Sequence, residues 1–235
     1  MKMIYPELIK NRFFPLCFLM LFTGAAAASG IAFGCTRLEK NMDSVEKGMT
    51  YVTLCQIFLL FLVPMGIMLL SMRFASWEEN CGGWRIIMTS GISTGSVHFA
   101  KILIVFVSVL TMLLPLVICG AIFLGDFKEG TVIEAVVLPL AAAYVCFLPM
   151  CVAMYFLSVI LNSTLAVIFS GLLLIISTIF VSSSAFEKYD PLCYPYIISM
   201  NYDMVIQRIG TSIVVSVLIF AVGSFISQRR IAASI

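Results

Sequence analysis

The chain has 235 residues, 62% of them apolar and 11% charged, with a mean hydropathy of +1.11. Soluble domains are about 45–50% apolar, so a water-solvated globular fold is excluded and the bilayer is the expected solvent. A formal net charge of +2 is too small for a nucleic-acid-binding surface.

The fold class that follows is all-α. The pattern predicts a polytopic membrane protein with about six transmembrane helices, forming one transmembrane domain over residues 1–235. Met1 to Arg12 mixes Lys2, Glu7, Lys10 and Arg12 with Ile4, Tyr5, Leu8 and Ile9. The apolar residues recur four apart, which predicts an interfacial helix over 1–12 lying on the membrane. A basic start before an apolar run also resembles a signal peptide, but Phe13 to Phe33 is longer than an h-region. That run is the first span. Its second half, Gly24 to Gly30, holds only Gly, Ala and Ser. Such residues let helices approach closely in lipid, so this half is expected inside the bundle or at a subunit interface.

A polar loop, Cys35 to Gly48, leads to a second span over Thr50 to Met72, where Pro64 and Gly66 permit a kink. A polar island from Arg73 to Lys101 follows. Span three covers Ile102 to Leu124 and span four Val132 to Ile160, with Pro139 and Pro149 expected to tilt or break it. Span five covers Leu165 to Val181. Ser182 to Ile206 is less apolar and carries four Tyr, residues that favour the membrane–water boundary. Span six covers Arg208 to Ile226. An even number of spans puts both termini on one side. With the island on that side, it carries eight Lys and Arg against six opposite, a small bias towards cytoplasmic ends.

No ionisable residue sits in the middle of a predicted span. A central charge costs about 2.5–3.5 kcal/mol on insertion scales and usually marks an ion pathway, so ion-coupled transport is disfavoured. The eight Cys form no metal-ligand spacing, and neither a zinc site nor a disulfide framework is expected; whether Cys35 and Cys193 pair is left open. No GxxxxGK[ST] phosphate loop occurs, nor HExxH or GxSxG. The chain is therefore not expected to be an enzyme or to hold a cofactor. His98, the sole histidine, is expected to be a satisfied structural residue.

The island carries the sharpest signal. Gly82-Gly83 breaks the chain, Trp84 to Ser90 forms a helical candidate, and Gly91 caps it. About two turns are too few to be stable alone, so the helix needs a surface. Trp84, Ile87 and Met88 share one face, and Trp and Arg often anchor interfaces. Glu78 and Glu79 read either as solvated acids or, for Glu79, as a partner of Arg73 or Arg85. Trp84 and Arg85 also fit a simple membrane-interface anchor.

Glu79, Gly83, Trp84, Arg85, Ile86, Ile87, Ile92 and Lys101 together resemble the cytoplasmic loop of ABC-2 type transporter permeases, most closely those of lantibiotic-immunity exporters. The likeness in layout runs over the whole chain, whereas the residue match is confined to this loop. One departure is Gly91, where the family pattern has Pro before Ile92. The resemblance implies a coupling helix within a cytoplasmic loop, 73–101, docking a cytoplasmic ATPase through Glu79, Gly83, Trp84, Arg85, Ile87 and Met88. It also implies an extracytoplasmic interfacial segment at 182–206. The expected complex holds two ATPase copies, which bind ATP and Mg, and a second permease, a paralogue, in a bacterial plasma membrane. The expected cargo is an antimicrobial peptide expelled from the membrane, with Asp190 and Asp203 as outside acids that attract it. A drug, lipid or sugar-lipid cargo is the alternative, and a non-transporting membrane sensor or assembly subunit is the alternative of another class.

Overall fold

The computed structural model describes residues 13–38, 44–80, 83–123, 136–161, 163–181, 194–197 and 205–233. The expected interfacial helix at 1–12, Gly82, Asp190, Asp203 and the Cys193 end of the Cys35 pairing lie outside them. Among the described residues the chain is helical and contains no strand.

In chain order the helices are α1 (Phe13–Leu38), α2 (Ser44–Asn80), α3 (Gly83–Thr89), α4 (Thr94–Phe123), α5 (Leu138–Cys146), α6 (Leu148–Ile160), α7 (Ser163–Val181), α8 (Tyr194–Ile197) and α9 (Val205–Ala233). Four stretches are long and apolar enough to cross a membrane: Thr53–Asn80, Thr94–Ile122, Leu138–Ile160 and Val205–Ile231. A shorter apolar stretch, Met20–Phe33, lies on α1. Of the 182–206 segment, the structure describes the four-residue α8 and the start of α9.

The helices outrun the spans read from hydropathy. The second was expected to stop at Met72, yet α2 continues to Asn80. The third was expected to start at Ile102, yet α4 starts at Thr94. Among the described residues the 73–101 loop is therefore mostly helix extension, with α3 and the turn at Ser90–Gly91 between. At 30 residues, α4 is roughly 45 Å long, more than the roughly 30 Å hydrocarbon layer. The first turns of α4, Thr94 to Lys101, are its polar part.

The fourth span breaks where proline predicts it. Phe147 separates α5 from α6, and Pro149 opens α6. Proline has no N–H to give to the preceding turn. The break stays local, because the Phe147 N–H still reaches the carbonyl of Ala143 at 3.0 Å and Cys151 N–H that of Phe147 at 3.0 Å.

One continuous apolar core runs through α2, α4, α5 and α6, with Phe58, Leu59, Ile67, Leu70, Val105, Leu116, Phe147 and Met150 all nearly sealed. Cys55, Cys146 and Cys151 are buried, as small apolar residues would be. Helix α1 packs on α4, and α9 packs on α6. Gly24 allows the first contact: a methyl group there would run into the Met112 carbonyl. Gly223 allows the second, because a methyl group there would collide with the Phe156 ring. At the far end of α4, the Tyr51 hydroxyl donates to the Leu116 carbonyl at 2.7 Å. Helices α2, α6 and α9 finish, and α4 begins, at one common end of the bundle. That end holds α3.

Candidate functional site: a polar clamp beneath the short helix

Helix α3 spans Gly83–Thr89, one residue earlier at each end than the sequence predicts. Its C-terminus is closed locally. The Ser90 N–H bonds the Ile86 carbonyl at 3.0 Å, and the Thr89 and Ser90 hydroxyls reach the Ile86 and Ile87 carbonyls. Gly91 then turns the chain at φ +70°, the left-handed conformation glycine adopts freely. Ser93 starts α4 as an N-cap, its Oγ accepting the Ser96 N–H at 3.4 Å.

The inner face of α3 rests on charge. Lys101 Nζ donates to Glu78 Oε1 at 2.9 Å, and both side chains are 1% exposed. The two residues stand 23 positions apart, one near the end of α2 and the other near the start of α4. The Trp84 ring covers the pair, with Lys101 Nζ 5.0 Å from the ring centroid. Gly83 is the point of closest approach: an added methyl group would overlap the Glu78 carboxylate. Glu78 is thus a buried acid, and the solvated reading of this position is corrected. Burying one charge alone is prohibitive, and the second charge at hydrogen-bonding distance makes it tolerable.

The same tryptophan lies beside His98, with ring centroids 5.2 Å apart. His98 is fully buried and engaged at both nitrogens. Nδ1 lies 2.9 Å from the Tyr155 hydroxyl on α6, and Nε2 lies 2.9 Å from the Ser227 hydroxyl on α9. The expectation of a satisfied structural histidine holds.

A second ion pair lies on the outside of the clamp. Glu79 Oε1 is 3.6 Å from Arg230 Nη2, with the side chains 43% and 36% exposed. Arg230 Nη1 also donates to the Val159 carbonyl in the last turn of α6, where a cation suits the negative helix end. Glu79 therefore pairs with Arg230 from α9, where the sequence suggested Arg73 or Arg85. Gln228 Nε2 donates to Thr94 Oγ1 at 2.9 Å, joining α9 to the start of α4.

The residues singled out for docking divide. Gly83 is buried, and Trp84 is half-buried against the core. Both face the bundle and hold α3 in place. Ile87 is half-buried. Arg85 and Met88 lie on α3, but their side chains fall outside the described residues. Among the described side chains of α3 the outward apolar residue is Ile86, 66% exposed, followed by exposed Thr89, Ser90 and Ile92. The helical repeat grouped Trp84, Ile87 and Met88 as one face, and of these Trp84 and Ile87 are half-buried; nothing local told which face turned outward. His98 was read as a satisfied residue, but its partners Tyr155 and Ser227, and the Arg230–Val159 contact, escaped sequence reasoning because separations of 57, 129 and 71 residues leave no spacing signal.

No family model matches the chain, and no curated protein or solved structure was found to be similar to it. Among the described residues, no group of three or more His, Cys, Asp or Glu side chains is placed to hold a metal ion.

Proposed function

We propose that this chain is the permease subunit of an ATP-driven ABC exporter, with α3 as its coupling helix. The single observation that carries the reading is the mounting of α3. A helix of seven residues has no stability of its own. Here it sits on a buried ion pair linking two long apolar helices and turns Ile86 to the outside. A simple membrane anchor needs no such mount, and it would point its tryptophan towards lipid headgroups. An element held rigidly from within and apolar on its outer side suits a piece that is pushed by a partner. Energy enters from that partner, because this sequence carries no phosphate loop.

In this reading α1 and α7 join the four long apolar stretches to make six spans. Both termini and the clamp lie in the cytoplasm of a bacterium. Two such subunits, this chain and a paralogue, each dock one ATPase. The cargo is an antimicrobial peptide cleared from the membrane, an assignment that rests on the family resemblance. Asp190 and Asp203 gather it by charge; Asp190→Asn with Asp203→Asn is expected to weaken protection against a cationic peptide at low salt, and unchanged protection removes that role.

A mild-detergent pull-down of the tagged chain tests the reading, with every co-purifying chain identified by mass. A stoichiometric ATPase and a second small permease are expected. Ile86→Glu should lose the ATPase while leaving membrane insertion intact. A folded preparation with no ATPase overturns the proposal.

A further inference from the structure

The clamp contains one residue whose contacts exceed what holding α3 requires. Trp84 and the Glu78–Lys101 pair fix α3 to α2 and α4. His98 adds two hydrogen bonds of 2.9 Å directed away from α3, one to α6 and one to α9. Its ring also meets Phe156 at 5.3 Å between centroids, and Phe156 is the side chain on which Gly223 of α9 closes. So His98 touches the short helix on one side and both distant long helices on the other.

From this we infer that His98 is a positioning residue, a hub that links displacement of α3 to the ends of α6 and α9. Both ring nitrogens are used, so the imidazole cannot rotate to follow α3 without breaking a bond at Tyr155 or Ser227. A shift of the Trp84 ring must either carry the Tyr155 and Ser227 hydroxyls with it or break those contacts. Without the hub, α3 still sits on α2 and α4, but the hydrogen-bonded route from the Trp84 ring through His98 to Tyr155 of α6 and Ser227 of α9 is gone. The inference deepens the coupling-helix reading and rests on it for its functional meaning. The mechanical link itself belongs to this chain alone.

Hydrogen exchange on the full chain in lipid nanodiscs tests it without any ATPase. Trp84→Ala disturbs α3, and the readout is exchange at 155–160 of α6 and 224–231 of α9. In the natural background, exchange at both should rise about fivefold to tenfold, the scale of one lost hydrogen bond. The control background is His98→Phe with Tyr155→Phe and Ser227→Ala. Replacing all partners of a polar cluster by apolar groups of similar shape is close to neutral for stability, so this background should fold. There, Trp84→Ala should speed exchange in α3 and the start of α4 and leave α6 and α9 unchanged. Equal spread to α6 and α9 in both backgrounds, or no spread in the natural one, overturns the hub. Should the control background fail to fold, Ser227→Ala alone, which keeps His98 and Tyr155, should remove the spread to α9 and retain that to α6; spread to α9 that persists overturns the hub. A pull-down lacking the ATPase would remove the exporter reading and leave these exchange results standing.

Discussion

Glu78 and Glu79 are neighbours on one helix and live under opposite physics. Glu78 is 1% exposed and bonded to a lysine equally buried. Glu79 is 43% exposed and meets an arginine at 3.6 Å. The first pair is shut off from solvent, so each charge relies on the other as its countercharge. The second is hydrated and screened, and either member survives alone. Consecutive positions on a helix point about 100° apart, which is enough here to put one carboxylate under Trp84 and the other on the surface. Identical chemistry therefore supplies a structural pin and a surface tie.

The comparison is broken most severely by removing one charge of the inner pair. Lys101→Met should destabilise the protein by about 3–5 kcal/mol, because it leaves the buried Glu78 carboxylate without its countercharge. Unfolding by titration with a denaturing detergent reads the loss. Glu78→Met with Lys101→Met removes both charges and should recover most of it, since buried pairs are often replaceable by apolar side chains. If Lys101→Met alone costs less than the outer pair's variants do, Glu78 is hydrated and the contrast collapses.

A gentler change sharpens the same point sterically. Gly83→Ala should cost about 1–3 kcal/mol through overpacking, because the new methyl group must displace the Glu78 carboxylate. Trimming that carboxylate in a Glu78→Ala background should shrink the added cost, a non-additivity expected only between touching groups. The same unfolding titration on the four variants measures it. Strictly additive costs would separate Gly83 from Glu78.

Hydropathy made the helical class legible, and Pro149 marked the break after Phe147 correctly. The helix ends were misjudged at Asn80 and Thr94 for one reason. A hydropathy reading ends a span at the first charges, here Arg73, Glu78 and Lys101. Two of those charges cancel each other inside the bundle, so the helices run on. The short helix was legible from Gly83, Trp84 and Gly91, since its limits are set by local backbone chemistry. Its orientation was not, because the ring that decides it packs on Lys101 and His98 from a different helix. The clamp joins residues up to 129 positions apart, and only tertiary packing creates such neighbours.

The smallest expected effect is at the outer pair. Glu79→Gln should change stability by about 0–1 kcal/mol, the range of exposed ion pairs, and the difference should fade as salt is raised. Arg230→Gln should cost more than Glu79→Gln, because Arg230 also serves the Val159 carbonyl and that helix end loses its cation. Unfolding titrations at low and high salt separate the two contributions. The part of the Arg230→Gln cost due to Glu79 disappears with salt, and the part due to the short-range Val159 bond persists. If high salt erases the whole Arg230→Gln cost, the carbonyl bond contributes nothing and the outer tie is electrostatic alone. If salt erases none of it, the Glu79 contact is incidental, and α9 is held to the clamp by Val159, Ser227 and Gln228.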